Sequence, residues 1–206
     1  MVYLNDDIEA IDVGLALQAV GPQRREKALR YRQLRDRKLS LAVYLLLAEG
    51  LEKEYGIREL PEFVFGRHGK PFLAGHPGIH FNLSHCREAA LCAIGDSPVG
   101  CDVESVPAEL DMDLCRRCFN DAEIARIAGA ERPTLAFASL WTQKEAFLKL
   151  TGEGLSDALP DLLCSARAKN ATFETHVSPD SSYVYTVCKQ TAPGVLFPPA
   201  IPAGKK

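Results

Sequence analysis

Asp102 and Glu104, in the stretch Val99-Gly100-Cys101-Asp102-Val103-Glu104, are the residues whose types and spacing first suggest chemistry. The β-branched, alternating stretch predicts a short strand, in which successive side chains point to opposite faces. Two positions apart, both carboxylates leave the same face. Unit charges about 4 Å apart repel by roughly 4 kcal/mol at an effective dielectric of about 20. A hard divalent cation with oxygen ligands would offset that repulsion. A solvated strand end with two ordinary acids is the plainer alternative.

Further along, Trp141, Glu145 and Lys149 are spaced four apart and form one stripe of a predicted helix. The stripe borders Phe137, Leu140 and Leu148, so Glu145 falls at the edge of the core, partly dry and in need of a partner. Lys149 is one candidate, through an i,i+4 ion pair worth about 0.2–0.5 kcal/mol. A metal shared with Asp102 and Glu104 is the other. Asn82-Leu83-Ser84-His85 ends a strand in hydrogen-bonding residues, and His85 could meet a phosphate or serve the structure. Lys70, in the turn Gly69-Lys70-Pro71, could reach an anion. His76 and His80 are four apart, but their glycine-rich, turn-like surroundings argue against a helical zinc pair. Cys115-x-x-Cys118 has no second pair and reads as buried or idle thiols. No phosphate-loop or dinucleotide glycine motif is present.

The elements that must position these groups follow from periodicity and punctuation. A short strand opens the chain, and a helix is predicted around Asp7 to Val20, broken by Gly21-Pro22. Pro22 starts a second helix, rich in arginine and lysine. Asp36 is placed as the cap of a third, whose apolar face is Leu39, Val43, Leu46, Leu47 and Leu51. Strands are expected at 62–65, 79–83 and 89–94, then the strand of Asp102 and Glu104. One helix is predicted over Asp111 to Ala128 and another from about Thr134 to Leu150, stopped by Gly152 and Gly154. A hairpin joins 171–177 to 183–188, and the proline-rich end reads as a loose tail. The order suggests an α+β fold of two lobes meeting near residues 96–100, with no letter-level repeat between them.

The totals narrow the class. A chain of 206 residues, 47% hydrophobic and 25% charged, has the length and composition of a folded soluble protein. A net charge of −3 gives no general affinity for nucleic acid. Eight basic residues nevertheless fall between Arg24 and Lys38 against two acids. That run has too few aromatics to stack bases and suits a phosphate or a solvated face. The N-terminus lacks the pattern of a signal peptide, and Leu39 to Leu47 is too short to span a bilayer. Seven cysteines in irregular positions read as reduced cytoplasmic thiols.

Taken together, four motifs are far more specific than any alone: Gly69-Lys70-Pro71, Phe81-Asn82-Leu83-Ser84-His85, Gly100-Cys101-Asp102-Val103-Glu104 and Trp141-Thr142-x-Lys144-Glu145-Ala146-x-x-Lys149. In order and approximate spacing, over roughly residues 20–155, the chain resembles the 4′-phosphopantetheinyl transferases of the surfactin-type branch. The resemblance implies an α+β fold of two pseudo-repeated α/β lobes with the active site at their interface. Residues 1–98 would form the N-terminal lobe, with the coenzyme A 3′-phosphate and adenosine contacts. Residues 99–206 would form the C-terminal lobe, with the metal site, the catalytic helix and a loose tail from about 195.

The implied reaction moves phosphopantetheine from coenzyme A to a serine of an acyl carrier protein or a peptidyl or aryl carrier domain, releasing adenosine 3′,5′-bisphosphate. By the resemblance, Asp102, Glu104 and Glu145 are ligands of Mg²⁺, or of Mn²⁺ in its place. Glu145 is also the base for the serine hydroxyl, and Lys149 neutralises or protonates the leaving phosphate. His85, with Ser84 beside it, matches a pyrophosphate contact, and Lys70 a contact near the adenosine. Arg24, Lys27 and Ser40 match 3′-phosphate contacts. Leu39 stands where a basic residue is expected, so Arg37 or Lys38 would substitute. The helix around Arg116, Arg117 and Phe119 is a plausible dock for an acidic carrier. The resemblance implies a monomer; the thiols, the net charge and the short apolar runs add the expectation of a cytoplasmic protein that binds neither nucleic acid nor membrane. Two rivals carry other expectations. A metal-dependent nuclease would use the same acids, but with glutamate and lysine arranged on a strand. A non-catalytic anion-binding module would leave the acid cluster unexplained.

Overall fold

The computed structural model describes residues 1–66, 68–154 and 159–191; the expected C-terminal tail lies outside them. The chain is a mixed α+β structure. Strand β1 (Val2–Asn5) leads through a 3₁₀ turn at Ile8–Ala10 into helix α1 (Val13–Gln18), followed by α2 (Pro22–Leu29) and the long α3 (Leu34–Tyr55). Strands β2 (Phe63–Phe65), β3 (Pro71–Leu73), β4 (His80–His85), β5 (Ala90–Gly95) and β6 (Val99–Ser105) come next. Helices α4 (Met112–Cys118), α5 (Asp121–Ala128) and α6 (Pro133–Thr151) precede the closing hairpin of β7 (Ala171–Val177) and β8 (Tyr183–Gln190). The strands form two antiparallel three-stranded sheets, β1-β5-β4 and β6-β8-β7, with β2-β3 as a separate hairpin.

Three expectations about the helices are corrected. The predicted helix over Asp7 to Val20 is broken, because Asp12 accepts a hydrogen bond from the Leu15 nitrogen and caps a new helix there. Asp36 does not cap α3; Gln33 holds that position and Asp36 lies in the first turn, where its charge suits the helix dipole. The single helix over Asp111 to Ala128 is two, since Phe119 is extended and Asn120 forms a capping box with Glu123.

Each three-stranded sheet carries one long helix. Leu39, Val43, Leu46, Leu47 and Leu51 of α3 bury against Phe81, Cys92 and Ile94. Ala146, Phe147 and Leu150 of α6 pack with Phe173 and Cys188. Between the two sheets, Leu91 and Ala93 of β5 meet Val99, Cys101 and Val103 of β6. Helix α6 is also fixed by polar groups. The Thr142 and Thr186 hydroxyls lie 2.8 Å apart, Thr186 and Thr175 lie 3.0 Å apart, and Gln143 donates to Thr175.

Gly100 sets how closely β6 and α6 approach. A Cβ there would fall inside van der Waals contact of the Ala146 carbonyl oxygen and the Leu150 nitrogen, and 2.9 Å from the Leu150 Cα. Backbone therefore packs on backbone, which brings the strand of Asp102 and Glu104 against the helix of Glu145 and Lys149. Gly100→Ala is expected to force these elements apart and lower stability by about 1–3 kcal/mol or more. A thermal melt unchanged from wild type would show that the contact is not tight.

Candidate active site

The site grows from the opposite faces of β4. Asn82 and Ser84 turn toward β6: the Asn82 amide oxygen accepts from the Cys101 nitrogen at 3.1 Å, and the Ser84 hydroxyl donates to Asp102 Oδ1 at 2.8 Å. Leu83 and His85, on the alternate face, line a cavity of about 710 Å³. One strand thus separates and joins two features.

On the first side is the acid cluster. Asp102 is 2% exposed. Its Oδ1 receives Lys149 Nζ at 2.5 Å, and Lys149 also donates to Ser84 Oγ at 2.8 Å. Oδ2 of Asp102 is buried with no hydrogen-bond partner. Glu104 Oε1 accepts from the Trp141 indole nitrogen at 3.4 Å. The Glu145–Lys149 ion pair weighed from spacing is not among the ion pairs of the described residues; the Lys149 ammonium goes to Asp102 instead.

The three acids burden one another. Burial raises the Glu104 carboxyl to about 7, and the charges of Asp102 and Glu145 add to the shift. Burial and Asp102 likewise raise Glu145, while Lys149 partly opposes them. Burial alone would pull Lys149 down, but the charge of Asp102, the hydrogen bond to it and the charge of Glu145 outweigh burial and raise its pKa. No three His, Cys, Asp or Glu side chains among the described residues already close around one point as a metal cage. The donor set still suits a hard cation. It offers carboxylate oxygens, one of them buried and unpartnered, in a place where positive charge is in deficit.

On the second side, the cavity has a basic end and an apolar wall. Arg24 and Lys27 of α2, with His85, form the basic end, and Ser40 lies beneath them. Ser40 Oγ is buried and has no hydrogen-bond partner. Burial lowers the Lys27 pKa, and so does the neighbouring Arg24 charge. The His85 pKa is lowered by desolvation first and by the charge of Lys149 second. These groups are short of an anion. Leu60, Phe63, Phe65 and Pro71 supply the apolar wall, and the volume is that of a cofactor-sized pocket.

Lys70 stands apart from this lining, although Gly69 and Pro71 on either side belong to it. Its Nζ donates to the carbonyls of Lys149 and Leu150, at 2.7 and 2.9 Å, at the end of α6. Of the helix suggested as a carrier dock, Arg116 and Arg117 are exposed, but Phe119 is 2% exposed and packs in the core. Among the described residues no helix is long and apolar enough to cross a membrane.

Lys144 was visible only as a motif letter. It is fully buried, and its Nζ meets the carbonyls of Cys118, Leu159 and Pro160 and the Glu123 carboxylate, all within 2.9 Å, above the Phe119 ring. The glutamate three residues after Asn120 was the available clue to α5, but nothing local pairs it with Lys144.

An α+β fold that brings a carboxylate cluster beside a cavity with a cationic end has the ingredients of a phosphate-transfer enzyme. Comparison with known proteins makes the class specific. The 4′-phosphopantetheinyl transferase superfamily profile matches residues 98–193. A 4′-phosphopantetheinyl transferase of Bacillus subtilis is 31% identical over 180 residues, covering 86% of this chain and 78% of its own length. The psf-1 transferase of Bacillus pumilus is 34% identical over 66% of this chain and 60% of its own length. Sfp of Bacillus subtilis strain 168 is 26% identical, covering 75% and 70%. The chain belongs to the 4′-phosphopantetheinyl transferase family, in its surfactin-type branch, and is an enzyme of that class.

The crowding of acids has a stability signature. Folded Glu104 holds its proton up to about 7, above its ordinary value of 4.5, so the folded state binds more protons than the unfolded one between those values. Stability of the metal-free protein should therefore fall as pH rises through that window. Glu104→Gln, which can still accept from Trp141, is expected to flatten this slope and raise the metal-free Tm at pH 8 by roughly 2–5 °C. A lower Tm for the variant would show that the carboxylates do not burden one another.

Proposed function

We propose that the enzyme transfers the 4′-phosphopantetheine arm of coenzyme A to a serine of an acyl, peptidyl or aryl carrier protein and releases adenosine 3′,5′-bisphosphate. The observation that carries this reading is the two-faced strand β4, with the basic cavity on one side and the under-neutralised acid cluster on the other. Coenzyme A matches both, with its 3′-phosphate and adenosine suited to the cavity and its pyrophosphate to the junction. In this reading residues 1–98 serve mainly the nucleotide, and residues 99–206 the chemistry.

Arg24, Lys27 and Ser40 bind the 3′-phosphate. Arg37 serves better than Lys38 as the additional cation. Its Nε is without a hydrogen-bond partner, whereas Lys38 is committed to the Glu9 carbonyl and carboxylate. Ser84 and His85 face the pyrophosphate, and Lys70 orders the turn whose neighbours border the cavity.

Asp102, Glu104 and Glu145 hold Mg²⁺, or Mn²⁺, which when bound supplies positive charge to the pyrophosphate. Glu145 accepts the proton of the carrier serine; its raised pKa makes it a better base than an ordinary surface glutamate. The serine oxygen forms its bond to the pantetheine-side phosphorus as the phosphoanhydride bond to the nucleotide breaks. Lys149 stabilises the negative charge that develops on the departing phosphate.

Intact-mass spectrometry of an apo carrier protein tests the reaction. With enzyme, Mg²⁺ and coenzyme A, the carrier should gain ~340 Da, the mass of a phosphopantetheine group. Fatty-acid and secondary-metabolite carriers should be tried side by side, and no gain on any of them would overturn the reading. Glu145→Gln is expected to lose about 100-fold or more in turnover while keeping a native melt. Mg²⁺ with coenzyme A should raise the wild-type Tm but give little protection to Glu104→Gln.

A further inference from the structure

Tyr44 lies in the middle of α3, in a stretch otherwise read as core, and has no assigned part in the reaction. It is 2% exposed, yet it borders the cavity. One turn before it on the same helix face is Ser40. The Arg24 guanidinium lies over the Tyr44 ring, its carbon 5.2 Å from the ring centroid. Arg24 Nη1 also donates to the Ser40 carbonyl at 3.3 Å. The guanidinium is thus fixed from two sides by neighbours one helical turn apart. Tyr44 holds the opposite wall as well: its hydroxyl donates to the Pro61 carbonyl at 3.1 Å, and its ring meets Phe63 edge-on at 6.1 Å.

We infer that Tyr44 is a positioning residue for ligand discrimination: its ring seats Arg24 so that the cavity prefers a nucleotide carrying a 3′-phosphate. The inference rests on the assignment of Arg24 to that phosphate. A guanidinium held over an aromatic ring has N–H donors beyond the one given to Ser40 for an oxyanion, and loses less freedom when the anion arrives. The ring and the hydroxyl have separable parts. The ring acts on the 3′-phosphate through Arg24 and on the apolar wall through Phe63, and only the first of these changes the ratio between nucleotides with and without that phosphate. The hydroxyl lies between the Pro61 carbonyl and the Gly21 backbone at the start of α2, so its loss should loosen the frame of the cavity for any nucleotide.

The test is the ratio of dissociation constants for adenosine 5′-monophosphate and adenosine 3′,5′-bisphosphate, measured by titration calorimetry on the full chain. Wild type should prefer the bisphosphate by about tenfold or more. Tyr44→Phe keeps the ring, so its ratio should stay within about twofold of wild type while both ligands weaken together. Tyr44→Met fills similar volume without a π face and should cut the ratio by about fivefold or more. Tyr44→His, with a poorer π face, should fall between them and serves if the methionine variant does not fold. A wild-type ratio in Tyr44→Met or Tyr44→His, or a collapsed ratio in Tyr44→Phe, overturns the role of the ring while leaving the coenzyme A assignment in place. A wild type with no preference overturns the 3′-phosphate assignment and this inference together.

Discussion

The constraint on which the structure depends is the crowding of Asp102, Glu104 and Glu145 in a partly dry cleft between a strand and a helix. Left alone these charges would push β6 and α6 apart, and the fold answers at several points. Gly100 lets the two backbones touch, the threonine hydroxyls fasten α6 to the sheet, and Lys149 with Ser84 neutralises one oxygen of Asp102. The answer is deliberately incomplete, in the sense that Asp102 Oδ2 is buried and unpaired and Glu104 titrates near 7. A protein that needed only stability would gain by replacing one of these acids. The residual charge deficit is the part of the architecture that asks for a ligand.

Strand β4 explains how the deficit is tied to the cavity. Its alternation sends Ser84 to Asp102 and His85 to the opposite face, a separation of one residue. An anion spanning both faces would therefore meet the cations of α2 and the ammonium of Lys149 through one rigid element. The period of two in a strand does work here that a loop could not do with the same precision.

Local periodicity made much of this legible, and long-range pairing hid the rest. Asp102 and Glu104 share a strand face, and the 141-145-149 stripe lies on a helix, because both patterns depend only on neighbours in sequence. The choice of partner for Lys149 did not. Spacing offered Glu145, whereas the Gly100 contact brings Asp102 close enough to take the ammonium. The break between α4 and α5 was missed because Phe119 fits an apolar helical position, and the Asn120–Glu123 capping box outweighs that fit. Asp36 looked like a cap because its residue type favours one, but α3 begins earlier, at Leu34. Tyr44 carries no local sign and Lys144 only its place in a motif; their partners come from α2, from the 61–63 segment and from the α4–α5 junction.

The three lysines around α6 show how the fold separates scaffold from chemistry. Lys144 is fully buried among three carbonyls and a carboxylate, and no incoming group could match that set without leaving Glu123 unpaired. Its desolvation is compensated in place, so it ties α6 to the α4–α5 junction and to the 159–160 segment. Lys70 meets two neutral carbonyls at the helix end, and burial there lowers its pKa to about 8. Lys149 has a side chain 30% exposed and shares Asp102 Oδ1 with a serine. A phosphate oxygen arriving from the cavity side can compete for its donors while Ser84 still serves Asp102. Of the three, it is the one paired with the acid cluster itself, so added negative charge on the cavity side of β4 would meet its ammonium before that of Lys70 or Lys144.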